Sequence, residues 1–159
     1  MDLMTDDATV PAPAQRLALA KAAPEFHRNL IALDRLARTG LGDPVVAELV
    51  NLRASQLNGC AFCLDAHSRD ARKNGESEHR LHTLAAWRET PFFTPRERAA
   101  LALTEAVTLV ASTHVPDEVF DEAAKHFSET ELAHLIGVIT TINALNRVGV
   151  STRMSPAAR

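Results

Sequence analysis

Residues 48–67 read ELVNLRASQLNGCAFCLDAH: the stretch begins at Glu48, turns at Asn58-Gly59, carries Cys60 and Cys63, and ends at His67. Asn-Gly is a turn signal, and the chain reads as helix on both sides of it. Upstream, Asp43-Pro44 supplies an N-cap followed by proline in the first turn, so a helix runs from there to about Leu57. Downstream, a helix starts at or near Cys60 and stops near Asn74-Gly75, where glycine suits a left-handed cap. On that helix Cys60, Cys63 and His67 fall on one narrow stripe, and Cys63 and His67 are i and i+4 neighbours. Glu48, Leu52 and Ser55 share one side of the upstream helix. A turn at Asn58-Gly59 that folds this helix back can therefore bring Glu48 to His67.

The same punctuation continues outward. Pro24 opens or divides an early helical region in which Phe26, Leu30, Leu33 and Ala37 follow at helical spacing, and Gly40 is expected to end it. Ser77 to about Trp87 reads as a further helix. Thr94 to Glu97 is a capping box with Pro95 at the first position, and its Ala- and Leu-rich helix, to about Val110, should be central and buried. Pro116 to His126 is shorter. Ser128 to Glu131 is a second capping box, followed by an apolar stripe of Leu132, Leu135, Ile136, Ile139 and Ile142. The expected fold class is all-α, a bundle of about six or seven helices over residues 14–150, with flexible tails at 1–13 and 151–159.

Composition agrees. Ala, Leu, Glu and Arg dominate, tyrosine is absent and aromatics are 4%, which is poor material for sheets. With 159 residues and 46% hydrophobic side chains, one domain can bury a real core. The formal charge of −3 is interspersed, so neither nucleic acid nor a membrane surface is an expected partner. No apolar run reaches transmembrane length. Met1 to Val10 lacks the basic and apolar regions of a signal peptide, so a cytoplasmic location is expected.

Two cysteines spaced Cys-x-x-Cys mean redox chemistry or half a metal site. A helix N-terminus favours a thiolate, and a nearby imidazole can take the thiol proton. A second thiol three residues away can trap an oxidised first thiol as a disulfide. Three other readings stay open: the cysteines as small core hydrophobes, a metal module using Glu48, Cys60, Cys63 and His67 as ligands, or a non-catalytic redox sensor whose disulfide alters assembly. Haem attachment fails because Leu64 stands where that motif needs histidine, and a thioredoxin fold fails because no βαβ pattern surrounds the pair.

At these residues the chain resembles the alkylhydroperoxidase D (AhpD-like) and carboxymuconolactone decarboxylase superfamily. The likeness is carried by Glu48, by Leu52 through Cys63, and by His67, and it continues through Gly75, Trp87 and Glu97 to Leu101. It covers about Pro24 to Val148. The resemblance implies an oligomeric helical fold, a homotrimer or homohexamer, and peroxidase activity through the cysteine pair in antioxidant defence. It implies a small hydroperoxide substrate, a dithiol or lipoyl-type electron donor, a peroxiredoxin as a further partner, and no cofactor. Carried over residue by residue, Cys63 attacks the peroxide, Cys60 resolves the sulfenic acid, and His67 and Glu48 move protons. Helix-terminus electrostatics alone would favour Cys60 as the attacking thiol. The imidazole at i+4 favours Cys63, and proton transfer during attack needs a base within reach. The sequence departs from some members at Phe62, where they carry histidine, which makes the site more apolar. The decarboxylase branch generally lacks the cysteine pair, so lactone decarboxylation is not expected.

The remaining residues have plainer expectations. His27, His79, His82, His114, His126 and His134 should be structural or surface groups, and Trp87 a core or interface anchor. Ser55, Gln56 and Asn58 should hydrogen-bond the turn before Cys60. Arg53 is a candidate to balance Glu48, and Glu76 to Arg80 should be a solvated charged face.

Overall fold

A computed structural model describes residues 10–157. The elements are α1 (Leu19–Ala22), α2 (Pro24–Leu41), α3 (Pro44–Asn58), α4 (Ala61–Lys73), α5 (Glu78–Thr83), a 3-10 helix (Leu84–Glu89), α6 (Pro95–Thr108), α7 (Val110–Thr113), α8 (Asp117–His126) and α9 (Glu129–Thr152). The described residues contain no strand. The count exceeds six or seven because α1 and α7 are single turns and the helix expected over 77–87 breaks. Ala86 leaves helical geometry there (φ −118°, ψ 33°), and the second half tightens to 3-10. Positions 1–9 of the expected N-terminal tail, and 158–159 of the C-terminal one, lie outside the described residues. Helix α9 runs two residues past position 150.

Local chemistry sets the ends of these helices. Asp43 Oδ1 accepts the Val46 N–H at 3.0 Å, capping α3. Both capping boxes form, Thr94 with Glu97 and Ser128 with Glu131. Helix α2 ends at Gly42 (φ +68°), not Gly40. Gly40 lies inside α2, and its missing side chain makes room for α9: a Cβ there would lie 1.9 Å from the His134 ring.

Helix α3 is the centre of the bundle. Val46 and Val50 face a core with Leu41, Leu103, Leu135, Val138 and Ile139. Leu49 and Leu52 face a second core with Leu84, Trp87, Phe93 and Leu101. The centre expected of α6 is therefore shared, since α6 and α9 both pack on α3. Ile139 is fully buried, and its truncation to alanine should cost about 2–5 kcal/mol. Of the run from Glu76 to Arg80, Ser77, Glu78 and His79 are exposed as expected, but Glu76 and Arg80 are half-buried. Arg80 bridges Glu76 (2.7 Å) and Glu97 (2.6 Å) with its guanidinium over the Phe93 ring. Among the described residues no helix is long and apolar enough to cross a membrane.

Candidate active site

Gly59 builds the turn that assembles the site. Its φ of +65° is left-handed, where a side chain would be strained. The Cys60 N–H reaches back to the Ser55 carbonyl at 3.1 Å and the Gly59 N–H to Gln56 at 3.3 Å, a Schellman closure of α3. The chain reverses at once, so Cys60 becomes the N-cap of α4 and its Sγ accepts the Cys63 N–H at 3.3 Å. Cys60 and Cys63 are joined by a disulfide.

The reversal lays α4 along α3 and brings the other two expected residues together. His67 Nδ1 lies 2.8 Å from Glu48 Oε2. Glu48 is 1% exposed, and a buried carboxylate requires counter-charge. That counter-charge is not Arg53, which binds Glu105 (2.8 Å) and Gln56 (3.0 Å). It is Arg38 of α2, whose Nη2 pairs with Glu48 Oε1. Nothing in the sequence pattern marked Arg38, because the pairing depends on how α2 crosses α3.

A polar layer lies behind the disulfide. Ser55 Oγ donates to the Asn51 carbonyl (2.7 Å) and accepts from Asn146 Nδ2 (2.9 Å). Asn58 Nδ2 donates to Asn143 and Asn146, both at 2.9 Å, so it ties the turn to α9 and not to itself. Asn51 is fully buried, with Nδ2 3.4 Å from His67 Nδ1 and Oδ1 without a protein partner. When Nδ1–H donates to Glu48, turning the amide over only moves the orphaned atom. One end of Asn51 is therefore an unpartnered polar group buried beside the Glu48–His67 pair. Gly149 of α9 covers the sulfurs: a Cβ there would lie 2.9 Å from Cys60 Sγ and 3.7 Å from Cys63 Sγ.

On its open side the site faces a largely apolar cavity of about 390 Å³. Cys63, His67 and Phe62 line it from α4, Leu30 and His27 from α2, and Leu145 from α9. Cys60 does not line it. Gln15, Ala18, Leu19, Ala20 and Met154 close the remaining wall, and the Arg16 N–H holds this segment to the Thr152 carbonyl at 2.9 Å. His27 thus has a place beside the site that sequence reasoning assigned to structure or surface. Trp87 is a core anchor, with its indole N–H 2.9 Å from Glu105.

The alternative metal set of Glu48, Cys60, Cys63 and His67 is not assembled, because the two sulfurs bond each other. Glu48, His67 and Asp70 do bring ligand atoms within 4.8 Å of one another. Glu48 already spends one oxygen on Arg38 and the other on His67, so these residues do not fit an ion.

An all-helical bundle with a Cys-x-x-Cys disulfide at a helix start, beside a buried Glu–His pair, defines the AhpD-like class. The chain belongs to the carboxymuconolactone decarboxylase family, which residues 24–106 match. It is 38% identical over 138 residues to the uncharacterized protein YdfG of Bacillus subtilis (strain 168), across 87% of this chain and 94% of that one. It resembles the crystal structure of a protein of unknown function from Agrobacterium tumefaciens, described as a candidate antioxidant defence protein AhpD. There the TM-score is 0.87 at 37% identity, over 91% of this chain and all of that one. The debrominase Bmp8 gives a TM-score of 0.75 over 87% of this chain and 74% of that one; at 20% identity this shows the fold alone.

Proposed function

We propose that the protein is a thiol peroxidase that reduces small organic hydroperoxides through Cys63 and Cys60, in antioxidant defence. The observation that carries this reading is that Cys63 opens on an apolar cavity next to an imidazole fixed by Glu48, while its disulfide partner Cys60 sits behind it. The Cys63 thiolate attacks the peroxide, the S–O bond forms as the O–O bond breaks, and the leaving alkoxide takes a proton from His67 to become the alcohol. Cys60 sulfur then displaces hydroxide from the Cys63 sulfenic acid. The thiol proton goes to that hydroxide, and water and the disulfide result. A donor dithiol restores the pair: its thiolate attacks Cys63, and Cys60 leaves as a thiolate favoured at the start of α4; the donor's second sulfur then displaces Cys63 from the mixed disulfide as a thiolate, and the donor's two protons return to Cys60 and His67. Overall one hydroperoxide and one dithiol give alcohol, water and the donor disulfide.

The donor in this reading is a small or lipoyl-type dithiol, slender enough to enter the cavity, with a peroxiredoxin as a further acceptor and a homotrimer or homohexamer as the assembly. The test is peroxide consumption with a dithiol donor, by wild type and by Cys63→Ser. Wild-type turnover that is lost in the variant supports the reading; equal rates defeat it.

A further inference from the structure

Glu48 has no free oxygen. Arg38 takes Oε1 from α2, and His67 takes Oε2 from α4. The guanidinium is itself held in place. Asp34, one turn earlier on α2, stands 4.0 Å from Arg38 Nη1, and Asp34 Oδ1 accepts a hydrogen bond from Thr141 Oγ1 of α9 at 3.1 Å. The chain Thr141–Asp34–Arg38–Glu48–His67 thus crosses all four helices around the site. Arg38 also borders a separate open hollow, with Arg35, Thr39 and Pro44, so it joins the buried carboxylate to solvent.

We propose that Arg38 is a positioning residue that fixes Glu48 as a standing anion and leaves His67 as the sole proton carrier at Cys63. To accept a proton, Glu48 would have to give up, at a buried position, its charge pairing with Arg38 and its hydrogen bond with His67. The travelling proton therefore belongs on His67 Nε2, since Nδ1 faces Glu48. The charge balance gives a second consequence. Beside Arg38, a proton on His67 makes the Arg–Glu–His trio net positive. Loss of the Arg38 cation lowers that charge by one and disfavours the Cys63 thiolate. The titratable groups around this pair are His27, Asp34 and Arg38 on α2, Glu48 on α3, and Cys60, Cys63, His67 and Asp70 on α4. On α9, Thr141 and Asn146 are uncharged. Arg38 is the permanent cation of this set.

The proposal takes from the peroxidase reading only the identity of the reaction; its tests read the thiol and the proton. In reduced full-length protein, alkylation of Cys63 by iodoacetamide is followed by mass spectrometry from pH 5 to 9. Arg38→Gln should move the midpoint up by about one pH unit and slow alkylation near pH 6.5 about tenfold. Arg38→Lys should restore most of the shift, and Arg35→Gln, an exposed arginine of the same hollow, should leave the profile in place. An Arg38→Gln protein that melts lower but alkylates along the wild-type profile makes Arg38 a brace only and overturns the proposal. A second measurement needs no variant: carbon NMR of the wild-type Glu48 carboxyl. It should stay near its ionised position across the pH range in which the His67 ring titrates. A protonation-sized change at Glu48 in step with His67 would also overturn it. Neither experiment reads peroxide turnover, so absent turnover with these profiles sinks the peroxidase reading and keeps this one.

Discussion

Glu48 Oε2 and His67 Nδ1 lie 2.8 Å apart, although 19 residues and a complete reversal of the chain separate them. The contact decides which imidazole nitrogen faces the cavity. With Nδ1–H donated to Glu48, Nε2 is the atom that exchanges protons. Glu48→Gln keeps the shape but removes the charge that selects this tautomer. Peroxide turnover should fall about 10²-fold, the lower range for losing positioned acid–base help, with KM little changed. Steady-state kinetics beside a melting curve measure it, and turnover within twofold of wild type would remove Glu48 from the site's chemistry.

Gly149→Ala tests how tightly α9 seats the disulfide. Alanine in place of glycine inside a helix ordinarily stabilises it by roughly 0.5–1 kcal/mol. Here the new Cβ would lie 2.9 Å from Cys60 Sγ, and a sulfur tethered in a disulfide yields poorly. The expected outcome is a net loss of about 1–3 kcal/mol, typical of overpacking, together with slower closure of the disulfide after peroxide. Denaturant melts and a thiol count over time read both. A variant as stable as wild type that closes at the same rate would mean that α9 shifts freely.

Much of this was legible in the sequence, for reasons local to the chain. Asp43-Pro44, Asn58-Gly59 and the two capping boxes act over four residues or fewer, so they mark where helices start and stop. The i, i+3, i+4 spacing places Cys63 and His67 together for the same reason. What escaped depends on how helices cross. Arg38 reaches Glu48 only because α2 lies over α3, and Arg53, nearer in sequence, points to Glu105 instead. Asn146 and Gly149 meet the site from α9, some 90 residues from Ser55 and Cys60, with no local signal to mark them. Gly40 misled as a helix end because its small size serves a close approach by α9, while the left-handed cap falls at Gly42.

Acid should weaken the fold through two glutamates away from the site. Burial alone would raise the Glu97 carboxyl. Hydrogen bonds from Arg80 and Thr94 outweigh it and hold the group below the ordinary range. Burial likewise opposes Glu105, and Trp87, Arg88 and Arg53 overcome it. A carboxyl depressed in the folded state adds stability above its unfolded value, about 4.3 for glutamate. That stability is lost as pH falls through the folded value. Melting temperature should therefore be flat from pH 7 to about 5 and fall below about 4.5. Glu97→Gln should melt lower at pH 7 and lose less on acidification. A variant whose melting temperature tracks wild type at a constant offset down to pH 3 would contradict this account.

The division of labour between the sulfurs rests on access. Cys63 lines the cavity and Cys60 does not, while Cys60 holds the N-cap position that favours a leaving thiolate. Two physical effects thus act on two different atoms, and a peroxide must reach its sulfur before electrostatics can matter. Cys60→Ser, which keeps Cys63, should accumulate sulfenic acid under one equivalent of an organic hydroperoxide and react with dimedone. Cys63→Ser should label at least tenfold more slowly, since its remaining thiol is 2% exposed behind α9. Intact-mass spectra of both variants at matched times give the answer. Faster labelling of Cys63→Ser would reverse the roles and would mean that the N-cap, not the cavity, selects the attacking thiol.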